Sequence, residues 1–90
     1  MTALTPSQRE LVRLSLLRYL DAAEGFGLGE GILLSSIRAE GFRVVDEAGI
    51  QKELQYLQDK GFVAVAEKTI SPELRRWRIT ANGRDTLAQN

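Results

Sequence analysis

The chain has 90 residues, with 12 Lys+Arg against 12 Asp+Glu, and it contains neither histidine nor cysteine. One small domain spanning residues 1–90 fits that length, and folding would bury roughly 64% of the extended-chain surface. The missing residues exclude disulfides, thiolate nucleophiles, Ser-His and Cys-His pairs and His/Cys metal sites. Little beyond carboxylates is left for metal or acid–base chemistry.

At 43% apolar and 27% charged residues the composition is globular. No run approaches the roughly 18 apolar residues of a membrane-spanning helix. Met1-Thr2-Ala3-Leu4 has no basic region of the kind that opens a signal peptide, so a cytoplasmic location is expected. Zero formal charge argues against coating nucleic acid by bulk attraction.

Thr5-Pro6-Ser7-Gln8 opens the first element as a T-x-x-Q capping box with Pro6 in the first turn. Strong helix formers continue to about Ala23. Leu11, Val12, Leu14, Leu16, Leu17, Tyr19, Leu20, Ala22 and Ala23 spread around nearly the whole helical wheel. Such a helix is buried on more than one side, either by its own domain or by a second subunit. The second subunit is the expectation, with Leu11, Leu14, Leu17 and Tyr19 as the homodimer seam.

Gly25-Phe26-Gly27-Leu28-Gly29-Glu30-Gly31 interrupts the helix. Its spacing fits neither G-x-G-x-x-G nor a G-K-[ST] phosphate loop, so it reads as a permissive connector with room for a short strand beside it. Glu30 to Glu40 reads as a second helix with Leu33, Leu34 and Ile37 on one face, closed by Gly41. Asp46 is the expected N-cap of a third helix running to about Lys60, whose inward positions are Ile50, Leu54 and Leu57.

After Gly61, Phe62-Val63-Ala64-Val65-Ala66 and Arg75-Arg76-Trp77-Arg78-Ile79 read as two strands of a hairpin, with a turn over 68–74. Trp77 and Ile79 share one strand face, and Arg76 and Arg78 the other. Thr80 caps a last short helix, whose first turn Gly83 allows to lie close to the sheet.

The expected fold is mainly α with a small β-hairpin, in the order α-α-α-β-β-α. The stretch Ile50-x-x-x-Leu54-x-x-Leu57-x-x-x-Gly61-Phe62-Val63, followed by Arg76-Trp77-Arg78-Ile79-Thr80-x-x-Gly83-Arg84-x-x-Leu87, resembles the winged helix-turn-helix pattern. It is similar to small bacterial and phage regulators of the MarR and PadR kind.

The resemblance implies a duplex DNA-binding transcriptional regulator whose third helix enters the major groove while the wing follows the backbone. On this chain the implied contacts are Ala48, Gly49, Gln51, Lys52 and Gln55 on the helix. Lys68, Arg75, Arg76 and Arg78 are those on the wing. Gln51 and Gln55 have amides suited to adenine, and Lys52 suits guanine or phosphate.

Charge is segregated. Asp46, Glu47, Glu53 and Asp59 outnumber Lys52 and Lys60 on the third helix, whereas the wing carries a cationic excess. Glu53 is expected to face sideways. The acidic helix and the apolar first helix also fit a protein-interaction module without DNA binding. As catalytic pairs, Asp46 with Glu47 and Glu30 with Glu40 are already explained by capping and solvated faces. No enzyme activity, cofactor, metal or small-molecule ligand is expected.

Overall fold

The expected capping box at the first helix forms: the Gln8 N–H donates to Thr5 Oγ1 (3.2 Å) and the Thr5 N–H donates to Gln8 Oε1 (2.9 Å). From it α1 runs over Pro6–Ala22 in a computed structural model that describes residues 4–67 and 75–90. β1 (Leu28–Gly29), α2 (Glu30–Ala39), α3 (Glu47–Asp59), β2 (Val63–Glu67), β3 (Arg76–Ile79) and α4 (Ala81–Ala88) follow. The turn expected over 68–74 lies outside the described residues.

The sheet has three antiparallel strands in the order β1-β3-β2, one more than the expected hairpin. The third strand is the short one for which the glycine-rich connector had room, and there Leu28 pairs with Trp77 and Gly29 with Arg76. Two residues are too few to carry the period-2 alternation that betrays a strand in sequence. On the other side of β3, Val63 pairs with Ile79 and Val65 with Trp77, and a bulge follows between Val65 and Glu67.

All three helical anchors of α3 (Ile50, Leu54 and Leu57) are buried, as are Trp77 and Ile79 of β3. They close on Leu33 and Ile37 of α2, Val45, Val63, and Val12, Leu16, Leu17 and Leu20 of α1. This explains the all-round apolar first helix, because α1 packs against α2, α3, α4 and β3 at once. The domain itself covers much of that helix, and what it leaves to water includes Leu11. Leu17 is only 4% exposed and belongs to the core, whereas Leu11 keeps 53% of its surface in water.

The far end of α1 is tied to α2 by polar contacts. Tyr19 Oη donates to Glu40 Oε1, and Ser15 Oγ donates to Glu40 Oε2 (2.8 Å). Desolvation, followed by the hydrogen bond to Glu40 and the charge of its carboxylate, pushes the Tyr19 phenol up to about 12. A phenol whose folded pKa exceeds its unfolded value of 10.0 binds more protons when folded. The associated stability is therefore full below pH 10 and is lost as pH rises towards 12. The Tyr19 phenolate absorbance should accordingly develop near pH 12 and be absent from Tyr19→Phe. A Tyr19 titration midpoint near the ordinary 10.0 would show that Glu40 does not hold the phenol.

Gly61 lies at φ +79°, a left-handed conformation that lets the chain turn from α3 into β2. The Phe62 carbonyl at the start of the strand accepts from the Thr80 N–H (3.0 Å). Thr80 Oγ1 donates to the Gly61 carbonyl (2.6 Å) and accepts from the Gly83 N–H (3.0 Å), which joins the α3–β2 turn to the cap of α4.

Candidate nucleic-acid interface

The outward face of α3 is set by what anchors the helix. Asp46 Oδ1 accepts from the Gly49 N–H (2.8 Å) at the N-terminus, while Ile50, Leu54 and Leu57 hold the inner face. Ala48, Lys52 and Gln55, at i, i+4 and i+7, then form one exposed stripe. Gly49 is half-buried, and its N–H is engaged by the cap, so it contributes to the helix start rather than to that stripe. Gln55 Nε2 donates to Asp59 Oδ1 (2.9 Å).

Glu53 does not face sideways. Its carboxylate is buried against α1, where Arg9 Nε donates to Oε2 (2.9 Å) and Arg13 Nε to Oε1 (2.7 Å). The Arg13 guanidinium also stacks over Tyr56, 3.7 Å from the ring centroid. Two positive partners thus neutralise one of the four acidic residues counted on the third helix. The outer face carries less negative charge than the sequence count implied. Arg9 and Arg13, four apart on α1, were a usable signal for an acidic partner, but nothing local showed which carboxylate they meet.

On the wing, Trp77 and Ile79 point inward and Arg76 and Arg78 outward, as expected from the alternation. Arg78 is exposed and has no side-chain partner among the described residues. Arg76 Nη2 donates to the Gly27 carbonyl (3.2 Å), which binds the wing to the glycine connector. The Arg75 guanidinium lies 5.5 Å from the Trp77 ring centroid, with Nη2 3.8 Å from Glu30 Oε2. Lys68 lies outside the described residues.

α3 and the wing root meet at Glu30, a residue expected on a solvated face. Glu30 is 7% exposed. Gln51 Nε2 of α3 donates to its Oε1 (3.0 Å) and Trp77 Nε1 of β3 to its Oε2 (2.9 Å). Its position in the first turn of α2 places negative charge where the helix dipole favours it. Among the described residues no buried side-chain polar atom lacks a partner, and this carboxylate is one reason.

The expected dimer-seam residues separate. Leu11, Leu14 and Leu17 line a shallow groove of about 270 Å³ with Tyr56, Leu57 and Phe62, where Leu17 forms the floor. Tyr19 does not line this groove and is bonded to the end of α2. Of the carboxylates considered as catalytic pairs, Asp46 caps α3 and Glu47 is exposed. Glu30 and Glu40 stand at opposite ends of α2.

Three helices, a short first strand and a two-stranded wing before a last helix define a winged-helix domain. Among solved structures, a PadR-like transcriptional regulator from Bacillus cereus has a similar fold, with a TM-score of 0.73. The match covers 94% of this chain and 82% of that one at 16% sequence identity. No protein-family model matches the sequence, and no curated protein matches it. Among the described residues no helix is long and apolar enough to cross a membrane.

Proposed function

We propose that this winged helix binds duplex DNA as a cytoplasmic transcriptional regulator of the bacterial or phage type, and that it does so as a homodimer. The observation that carries the reading is the junction at Glu30. It joins the outer face of α3, bearing Lys52 and Gln55, to a wing strand whose outer face bears Arg76 and Arg78. A helix sized for the major groove beside a cationic strand matches base readout flanked by phosphate contacts. The similar fold of a protein described as a transcriptional regulator supports the same reading.

Dimerisation is favoured by Leu11, a large apolar side chain left in water beside a groove lined by Leu14 and Phe62. Two copies would double the phosphate contacts available to a chain of zero formal charge, and their two-fold axis would suit paired half-sites.

Lys52 and Arg78 are exposed cations of helix and wing with no side-chain partner among the described residues, so Lys52→Ala/Arg78→Ala is the direct test. Affinity should fall for all duplex sequences, and the slope of log K against log salt should drop by about 0.9 per lost phosphate contact. The same titration should show two chains per duplex. An unchanged salt slope removes helix and wing from the interface, and a stoichiometry of one removes the dimer.

A further inference from the structure

We infer that Glu30 is a positioning residue for base readout, fixing the Gln51 amide so that it discriminates adenine from guanine; this rests on the DNA-binding reading above. The carboxylate is buried, and each oxygen accepts from a different element: Oε1 from Gln51 Nε2 (3.0 Å), Oε2 from Trp77 Nε1 (2.9 Å). Trp77 is itself 1% exposed and paired in register with Leu28 and Val65, so the carboxylate is fixed from the core side.

A primary amide offers one acceptor oxygen and two N–H donors, and an unrestrained glutamine can turn over to present either end. An ionised carboxylate has acceptors only. Facing Glu30, the Gln51 amide must therefore direct its nitrogen inward, because the reversed orientation sets oxygen against oxygen. One N–H is used by Glu30. The oxygen and the second N–H remain, held in one orientation on a half-buried side chain of α3.

That remaining pair fits one purine. Adenine presents a donor at N6 and an acceptor at N7 in the major groove, complementary to an amide oxygen and N–H. Guanine presents acceptors at both N7 and O6, so a fixed amide oxygen would oppose one of them. Without Glu30 the amide could rotate to donate to guanine. Gln55, whose nitrogen is bonded to the exposed Asp59, has no buried carboxylate behind it.

The test is selection of duplex DNA from a randomised pool by wild type, Glu30→Gln and Gln51→Ala, with affinities measured for selected sites carrying A or G at the enriched position. Wild type should prefer adenine at one position by about tenfold, within the range a bidentate base contact supplies. Gln51→Ala should flatten that position alone. Glu30→Gln has one carbonyl oxygen for two donors and should flatten the same position while the salt slope stays unchanged. An unchanged adenine preference in folded Glu30→Gln overturns the inference.

A second measurement on the free wild-type chain does not depend on that variant folding. The Gln51 side-chain amide protons, assigned by their loss in Gln51→Ala, should exchange more slowly than those of Gln55. Equal exchange overturns the pinning. A wild-type chain that binds every duplex equally also overturns it, while leaving DNA binding in place. A chain that binds no duplex overturns both.

Discussion

Gly83→Ala should destabilise the chain by about 3 kcal/mol, the upper part of the usual cost of overpacking. In an ordinary helix the same change gains up to about 1 kcal/mol, so even the sign is informative. A Cβ at position 83 would lie 2.1 Å from the Phe62 carbonyl oxygen and 2.8 Å from Ile79 Cγ1. The first obstacle is backbone, and that carbonyl already accepts from the Thr80 N–H, so it cannot move without breaking the α3–β2–α4 junction.

For a domain of this size a loss of about 3 kcal/mol lowers the thermal midpoint by roughly 15 °C, readable by circular dichroism. Gly31→Ala is the matched control. It lies within α2, and an added Cβ would meet nothing within 4 Å. That change should stabilise by about 0.5 kcal/mol through the lost freedom of the unfolded chain. A Gly83→Ala midpoint within about 3 °C of wild type would show that α4 simply moves away from the sheet.

Gly83 was legible in the sequence because its role follows from a short motif, a cap at Thr80 and a turn placed against the preceding strand. The same is true of the caps at Thr5 and Asp46 and of the Ile50/Leu54/Leu57 face, which all depend on residues within one or two turns. What was hidden depends on distant partners. Glu53 reads as a surface carboxylate until Arg9 and Arg13, 44 and 40 residues away, are brought to it. Glu30 meets Gln51 and Trp77 across separations of 21 and 47 residues.

The first helix shows a different limit. Its leucines are chemically equivalent, so periodicity reports that most sides are covered without ranking them. Leu17 falls on the core and Leu11 on the surface because α4 and β3 also pack against α1. The candidate interface was correspondingly legible as a face and not as a set of free groups. Among the described residues Lys52 and Arg78 have no side-chain partner, while Gln51, Gln55, Arg75 and Arg76 each have an intramolecular contact that fixes part of the side chain.

Removing both arginines that hold Glu53 should be as damaging as the glycine substitution, for an electrostatic reason. In Arg9→Met/Arg13→Met the Glu53 carboxylate, with a side chain only 5% exposed, loses both partners and keeps its burial. Stranding a buried charge in this way costs about 3–5 kcal/mol. Glu53→Met alone should cost less, because the two arginine side chains are 33% and 18% exposed and can turn their heads to water.

The informative comparison is the triple variant Arg9→Met/Arg13→Met/Glu53→Met. Replacing a buried ionic cluster by apolar side chains of similar volume is often neutral, so the third substitution should restore stability to within about 1 kcal/mol of wild type. Urea denaturation of the four chains measures this directly. A triple variant no better than the double would show that the arginines act through their stems and the Tyr56 stack. Recovery would show that charge balance, set between α1 and α3, determines how firmly α3 is held against the core.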